Sequence, residues 1–523
     1  MRRQRSWVFA QLLFVGLVSA VEDSADCVLA TTTIFVPTTV YSAAPPVETG
    51  NTTVKLESYC SVQESSDREA SISTTPEATS IFEVPTSILT STVSSFSGRS
   101  NISVGTTSAI RTSREPPRPT DITGITPPPS PPAPFRGFKN AVYFTNWGTS
   151  RYQPQELPVS ELTHILYAFA DIGPNGTVLS SDPAVDLEKR YPTDPGWERG
   201  HNAYGVVKQL YIHKKHNRNL KTLLSIGGWE YLPKLAAAAA TEARRQTFAM
   251  SAVKLVTDWG FDGIDIDWEF PASDEEKENF VRLLEACRRA FDHYSFQHRV
   301  AYRFPITVAS PAMAQNHKYM DLARMNRYVD AWHLMAYDFS GSWDTTSGHQ
   351  ANVFSNKANA FSTKSSTDEA VTFYESQGVD ARKILVGLPA YGRSFEGTSG
   401  LGQNYSGVGE GGPQPGVWLY RDLPRPGARE MWDDVAKATY SYDAAARELV
   451  SYDNVRSASF KARWLEGRRL GGAFFWEASG DKAGAKSLVN TMSKNLRRLD
   501  GTPNNLYYPT SQYTNIRFGL PGV

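Results

Sequence analysis

Short apolar runs alternate with stretches of helical periodicity along the chain after Pro134. Near-continuous apolar runs of four to six residues are typical of strands in a parallel sheet that is covered on both faces. Eight such runs occur, at residues 141–144, 164–169, 222–225, 263–267, 306–309, 331–335, 384–388 and 472–475. Eight strand and helix repeats over about 360 residues predict a closed (β/α)8 barrel rather than an open sheet.

The regular spacing of these runs breaks once, between residues 388 and 472. That interval holds about eighty residues, whereas one helix and its loops need about thirty. It contains Tyr391-Gly392-Arg393, the glycine-rich segment 407–412 and Tyr440-Ser441-Tyr442-Asp443. We therefore expect a small inserted α+β unit at about 391–455, after strand seven, on the catalytic rim of a barrel spanning 136–500.

The first 134 residues follow a different pattern. Arginines within residues 1–5, an apolar run and the small residues Val18-Ser19-Ala20 predict a secretory signal over residues 1–20. Between Thr31 and Pro134, 52 of 104 residues are Ser, Thr or Pro. Such a composition cannot bury enough apolar surface to offset its ordering entropy, so residues 21–134 are predicted to form a disordered, glycosylated stalk. Residues 501–523 are expected to be a C-terminal tail.

Composition removes several classes of protein. Lys plus Arg and Asp plus Glu are 54 each, so the basic footprint of a nucleic-acid-binding protein is missing. Three cysteines exclude a disulfide-built scaffold and a four-cysteine zinc site. Cys287 lies in a helical pattern and is expected to be a buried free thiol, while Cys27 and Cys60 could pair in an oxidising compartment. Candidate N-glycosylation sequons lie at Asn51, Asn101, Asn175 and Asn404.

The sharpest chemical signal is the segment Phe261-Asp262-Gly263-Ile264-Asp265-Ile266-Asp267-Trp268-Glu269-Phe270. Because side chains alternate between the faces of a strand, Asp265, Asp267 and Glu269 share one face. Adjacent buried carboxylates cannot all ionise cheaply, so we expect a proton to be shared among them. Glu269 falls at the C-terminal end of the strand, where barrel enzymes place catalysis, and a raised pKa would suit a general acid.

The same segment resembles the DGxDxDWE signature of glycoside hydrolase family 18. Ser225-Ile226-Gly227-Gly228-Trp229 resembles the SxGGW motif of that family. Four further motifs match in order, namely Tyr143-Phe144-Thr145-Asn146-Trp147, Met335-Ala336-Tyr337-Asp338, Tyr391-Gly392-Arg393 and Trp476-Glu477-Ala478-Ser479-Gly480-Asp481. Residues 136–495 are thus similar to the fungal-type secreted chitinases, and the predicted insertion corresponds to the chitinase insertion domain.

The resemblance implies a retaining, substrate-assisted hydrolysis of the β-1,4 linkages between N-acetylglucosamine units of chitin, through an oxazolinium intermediate. Glu269 would act as acid and then as base. Asp267 would accept the acetamido N–H, Asp265 would share a proton with Asp267, and Tyr337 would orient the acetamido oxygen. Non-proline cis peptide bonds are implied at Ala168-Phe169, Glu269-Phe270 and Trp476-Glu477.

The resemblance also assigns residues that bind the sugar. Trp476 would be the apolar floor of the −1 subsite. Tyr143 and Ser225 resemble residues that support the aspartates. The remaining expected contacts to sugars come from the strand ends and loops of the rim, at Met335, Asp338, Arg393, Trp147, Trp229 and Trp343.

Three other functions stay open at this stage: a family 18 carbohydrate-binding lectin, an endo-β-N-acetylglucosaminidase and a structural wall protein displayed by its stalk. The retained acids favour an endochitinase over a lectin. We expect no cofactor and no metal, a chitin or N-acetylglucosamine oligosaccharide partner, no nucleic acid and no membrane association once the signal is cleaved. A secreted, extracellular monomer is expected, with wall association through the stalk.

Overall fold

The computed structural model describes residues 34–37, 51–54 and 136–521. Ile34–Pro37 and Asn51–Val54 form an antiparallel pair of strands. The predicted signal over residues 1–20 lies outside the described residues. The predicted stalk, including the sequon at Asn101, also lies outside them, except for these two strands.

Eight parallel strands close into a barrel, as the apolar pattern predicts, because the first strand pairs with both the second and the eighth. We number them first to eighth in chain order. Their bounds are Lys139–Thr145, His164–Ile172, Lys221–Gly227, Gly263–Asp267, Ile306–Pro311, Ala331–Met335, Ile384–Pro389 and Gly472–Trp476. A short strand, Val178–Ser180, pairs antiparallel with the end of the second barrel strand.

Helices follow the strands and cover the outside of the barrel. The longest, Asp274–Gln297, begins where the Ser273 hydroxyl accepts the Glu276 backbone N–H at 3.1 Å, and its first turn is acidic, which favours a helix N-terminus. Its inner face buries the free thiol of Cys287, as predicted. The other helices are Gly205–His216, Leu232–Ala239, Glu242–Trp259, Ala314–His317, Leu322–Met325, Thr367–Ser376, Val455–Gly467, Leu488–Asn495 and Thr514–Arg517.

A second, antiparallel sheet lies between the seventh barrel strand and the helix Val455–Gly467, where the spacing predicts an insertion. Its strands are Tyr391–Phe395, Val417–Leu419, Arg429–Asp433, Ala438–Asp443 and Glu448–Ser451. Tyr391 follows the seventh strand after a single residue, so this sheet begins at the C-terminal end of the barrel strands. The insertion is therefore at the rim where Glu269 lies.

Residues 501–521 pack against the opposite, N-terminal end of the strands. Asp262, directly before the fourth barrel strand, accepts the Asn505 backbone N–H at 2.8 Å and pairs with the Lys214 ammonium at 2.9 Å. The Tyr508 hydroxyl donates to the Phe261 carbonyl and accepts a hydrogen bond of 2.8 Å from Lys214. The C-terminal segment thus closes the floor of the barrel.

Replacing Tyr508 with Ala is expected to lower the free energy of unfolding by about 3 kcal/mol or more, as removal of other fully buried aromatic side chains does. Tyr508 is fully buried, and the substitution also takes a hydrogen-bond partner from the buried Lys214. Urea denaturation measures the change. The neighbouring Tyr507 is 56% exposed, so Tyr507→Ala should cost less than about 0.5 kcal/mol. Equal losses in the two variants would contradict this account of the floor.

Candidate active site

Three carboxyl groups project from one face of the fourth barrel strand and its C-terminal extension. Asp265 and Asp267 are buried inside the barrel, and Glu269, two residues beyond the last strand residue, is half-buried at the rim. The alternating isoleucines belong to the core between the barrel and its helices. This is the arrangement that the alternation of acids and apolar residues predicts.

Asp265 lies at the centre of a hydrogen-bonded cluster. Its Oδ2 accepts from the hydroxyls of Tyr143 and Ser225, each at 2.8 Å. Its Oδ1 accepts from the Thr307 hydroxyl at 2.6 Å and lies 2.9 Å from Nδ1 of His333. Burial alone raises the pKa of Asp265, but the hydrogen bonds from His333, Thr307 and Ser225 outweigh burial and lower it. The pKa of Asp265 is thus lowered, in contrast to those of Asp267 and Glu269, which are raised.

Asp267 has a different environment. Its Oδ1 is buried and has no hydrogen-bond partner among residues 136–521, and no hydrogen bond joins Asp267 to Asp265. Burial raises its pKa well above the usual range, and the charges of Glu269 and Asp265 raise it further. Its neutral form is therefore favoured, and it makes no hydrogen bond to Asp265. The sequence leads us to expect that Asp265 and Asp267 share a proton. In the structure, no hydrogen bond joins their side chains directly.

Glu269 has the properties of a general acid. Burial first, and then the charge of Asp338, raise its pKa to about 7. A carboxyl with that pKa is protonated in mildly acidic solution and still gives up its proton readily near neutrality. Its position at the C-terminal end of the strand places it at the catalytic face of the barrel.

The Tyr337 side chain lies close enough to the acids for their charges to act on it. The side chain is buried, and its hydroxyl forms no hydrogen bond with any other residue in 136–521. Burial and the charges of nearby groups, Glu269 and Asp267 among them, raise its pKa. The ring fits beside the seventh strand because residue 387 is glycine, where a Cβ would lie 2.6 Å from Tyr337 Cε1. A hydroxyl held here without a protein partner is available to a ligand.

Trp476 provides a flat surface at the end of the eighth strand. It stacks on Phe169, with ring centroids 5.8 Å apart, and packs against Tyr143 at 5.1 Å. Trp476 and Met335 are half-buried residues at the edge of the cluster of side chains inside the barrel. Their position fits the predicted apolar wall of a sugar subsite.

A charged group links the sixth strand to the insertion. Oδ1 of Asp338 accepts from the Tyr391 hydroxyl and from Nε of Arg393, both at 2.6 Å. The Arg393 guanidinium lies 4.6 Å from the centre of the Trp343 ring, within range of a cation–π interaction. Asp338 thus holds one wall of the site while its charge acts on Glu269.

The three loop tryptophans predicted to bind sugars are exposed rather than packed. The exposed fractions are 59% for Trp147, 70% for Trp229 and 55% for Trp343. The Trp147 ring lies 5.8 Å from that of Phe169, which in turn stacks on Trp476. Exposed indoles beside a row of acids are typical of carbohydrate-binding surfaces rather than of a protein core.

The three peptide bonds that the family resemblance implies to be cis are cis: Ala168-Phe169, Glu269-Phe270 and Trp476-Glu477. Glu269 and Trp476 flank two of them, so the prediction is confirmed at the two residues on which the expected chemistry depends most.

Two contributors to the site were not identified from the sequence. Thr307 and His333 complete the cluster around Asp265, together with the expected Tyr143 and Ser225. The signal was present, because Thr307 and His333 are polar residues at inward-facing positions of the mainly apolar fifth and sixth strands. Counting polar residues at inward positions on all eight strands would have found both.

Two further structural findings concern residues 136–521. They contain no group of three or more His, Cys, Asp or Glu side chains arranged to hold a metal ion. Nor do they contain a helix that is both long and apolar enough to cross a membrane.

A closed (β/α)8 barrel with exposed tryptophans and, at its rim, a glutamate whose pKa is raised to about 7 has the features of a glycoside hydrolase. Residues 139–481 match the sequence model described as Glycosyl hydrolases family 18, and the chain belongs to that family.

Named relatives agree with this family. The chain is 47% identical to Chitinase 1 of Aphanocladium album over 386 residues. This match covers 73% of this chain and 91% of the relative. It is 48% identical over 383 residues to Endochitinase 1 of Metarhizium robertsii, covering 73% and 90%. Chitinase ChiA74 from Bacillus thuringiensis is structurally similar, with a TM-score of 0.62, 29% identity and 71% of each chain covered.

Proposed function

We propose that the protein is an endochitinase that hydrolyses β-1,4 linkages between N-acetylglucosamine units with retention of configuration. The observation that carries the proposal is a pair of acids: a protonatable Glu269 at the rim and, beside it, Asp267, whose buried Oδ1 has no hydrogen-bond partner among residues 136–521. The fungal relatives that the chain matches over nine-tenths of their length are named chitinase and endochitinase. A similar structure, the Group IV chitinase of Ostrinia furnacalis, was solved in complex with allosamidin (TM-score 0.59, 27% identity, 68% of this chain and 98% of that chain).

In the first step, the acetamido oxygen of the −1 sugar attacks C1 while Glu269 donates its proton to the leaving glycosidic oxygen. The bond between C1 and that oxygen breaks and an oxazolinium ion forms. Asp267 accepts the acetamido N–H, and the Tyr337 hydroxyl orients the acetamido oxygen. Trp476 supports the ring from below.

In the second step, Glu269, now ionised, takes a proton from water as the water oxygen bonds to C1. The bond between C1 and the acetamido oxygen breaks, and the sugar is released with its original anomeric configuration. Asp265 does not touch the sugar in this scheme. It supplies the fixed negative charge beneath Asp267, held by its four hydrogen-bonding neighbours.

The proposed function is tested by incubating the full-length protein with chitin oligosaccharides and recording the product anomers by NMR before they equilibrate. We expect cleavage that releases the β anomer first. Initial release of the α anomer would contradict substrate assistance, and binding without cleavage would favour a family 18 lectin.

The loop tryptophans can be tested with a matched pair of substitutions. Trp229 and Trp197 are almost equally exposed, at 70% and 72%, but only Trp229 follows a strand that opens at the rim beside the acids. Because a stacked indole contributes roughly 1–2 kcal/mol to binding, Trp229→Ala should raise KM for chitin oligosaccharides about tenfold. Trp197→Ala should leave KM unchanged. If the two variants behave alike, Trp229 is not a sugar platform.

The remaining proposals concern organisation and location. We propose that residues 1–20 direct secretion and that the Ser/Thr/Pro-rich residues 21–134 form a stalk through which the enzyme associates with the wall. The barrel, with the insertion at about 391–455, would then act outside the cell as a monomer. Asn175 and Asn404 are exposed, which supports them as N-glycosylation sites.

A further inference from the structure

The carboxylate of Asp265 has no room for a further hydrogen bond. A carboxylate offers about four acceptor positions. Four neighbours on four different barrel strands occupy them, two at each oxygen, with distances between 2.6 and 2.9 Å: Tyr143, Ser225, Thr307 and His333. Three of these are hydroxyls that can rotate toward other acceptors. Nδ1 of His333 is a ring atom, so the direction in which it can donate is set by how the surroundings hold the ring.

The barrel interior fixes the His333 ring in place. The side chain is almost fully buried and packs against the rings of Phe474 and Tyr143, with centroid distances of 5.2 and 6.3 Å. Its Nδ1 faces Oδ1 of Asp265 at 2.9 Å. A histidine with its proton on Nδ1 donates to Asp265 whether the ring is neutral or charged.

Saturation of Asp265 has a consequence for its neighbour. Asp267 has no hydrogen bond to Asp265, and its Oδ1 is buried without a partner in the described part of the chain. A carboxyl group that cannot donate to Asp265 is free to rotate toward Glu269 and the acetamido group.

We propose that His333 is a positioning residue: by occupying the fourth acceptor position of Asp265, it keeps the proton of the carboxylate row on Asp267. This inference rests on the proposed function. In that reaction, the neutral Asp267 accepts the acetamido N–H at its carbonyl oxygen. Once Glu269 has protonated the leaving oxygen, Asp267 keeps its proton and donates a hydrogen bond to the Glu269 carboxylate, which stays ionised and able to act as base. Removing the His333 donor would open a position on Asp265 and draw the Asp267 proton away from Glu269.

Other ionisable groups also face this part of the barrel. Tyr143 on the first strand and Asp267 on the fourth strand adjoin Asp265, and Tyr337 lies above them. His164, Lys139 and Lys221 lie toward the floor, where their charges act on one another and where His333 also acts on His164. These groups are common to all the variants below, so a difference between variants reports the residue at position 333.

The test compares His333→Leu with His333→Asn. Leucine removes the donor, whereas the asparagine amide nitrogen can occupy the position of Nδ1.

The loss of one hydrogen bond to a charged carboxylate is enough to raise the pKa of that carboxylate by about one unit. Without that donor Asp265 binds a proton at higher pH, so the acidic limb of the kcat/KM profile should move upward by about one pH unit in His333→Leu. His333→Asn should retain the wild-type limb. An unshifted limb in His333→Leu, or equal shifts in both variants, would overturn the proposal.

A measurement on the wild-type protein does not depend on activity. With ¹⁵N-labelled histidine, the signal of His333 is identified by its loss in His333→Asn. We expect Nδ1 to carry a proton throughout the range from about pH 5 to 8. A bare Nδ1 would overturn the proposal even if chitin is cleaved. Conversely, if Nδ1 is protonated but the protein cleaves no chitin, the hydrogen bond from His333 to Asp265 is supported and the proposed function is wrong.

Discussion

Replacing Glu269 with Gln is expected to lower kcat on chitin oligosaccharides by about 10³-fold or more, while their binding is preserved. Glutamine has nearly the shape of a protonated glutamate but can neither donate a proton to the leaving oxygen nor take one from water, and acid and base catalysis each contribute about 10²-fold or more. Initial rates give kcat, and calorimetric titration with an oligosaccharide gives the affinity.

The wild-type pH profile provides a second measure of the same residue. Burial and Asp338 raise the pKa of Glu269 to about 7. The acid form is therefore present below that pH and is lost as pH rises through it, so kcat/KM should fall on the alkaline side. The small residual rate of Glu269→Gln should lack that limb.

Glu477 is a matched control for this substitution. It is also a half-buried glutamate at the rim whose pKa burial raises, but it already has partners, the hydroxyl and the backbone N–H of Ser479. Glu477→Gln should therefore retain most of the activity. If Glu477→Gln loses as much activity as Glu269→Gln, the assignment of Glu269 as the sole acid is wrong.

The barrel could be predicted because its strands are encoded locally. All eight predicted runs became strands, each extended by no more than three residues at either end, and the gap before 472 became the second sheet. Buried parallel strands are apolar on both faces, so each run is recognisable without knowing its neighbours. The row of acids could be located for the same reason, since alternation along one strand decides which side chains share a face.

Contacts between strands could not be predicted in the same way. That Thr307 and His333 meet Asp265 depends on the register of three strands, and register follows from closure of the whole barrel rather than from local pattern. The role of residues 501–521 was also missed. Tyr508 packs beneath the barrel because Lys214 and Phe261 lie there, and nothing in the polar and aromatic composition of that segment indicates its partner.

Replacing Tyr337 with Phe is expected to lower kcat by about 10²-fold with almost no change in stability. The hydroxyl has no partner in the described part of the chain, so its removal breaks no bond within the protein. In the proposed reaction, however, it holds the attacking acetamido oxygen, and misplacement of a reacting group by about 1 Å can cost a factor of about 10². The measurements are kcat on chitin oligosaccharides and the free energy of unfolding in urea.

Tyr374 allows the converse experiment. It is also a buried tyrosine, but its hydroxyl donates to the Pro311 carbonyl at 2.9 Å. Tyr374→Phe should therefore cost about 1 kcal/mol of stability and leave kcat nearly unchanged. A catalytic hydroxyl and a structural one are then separated by opposite responses. A stability loss in Tyr337→Phe without a fall in kcat would show that its hydroxyl serves the fold, and the acetamido group would then need to be oriented by Asp267 alone.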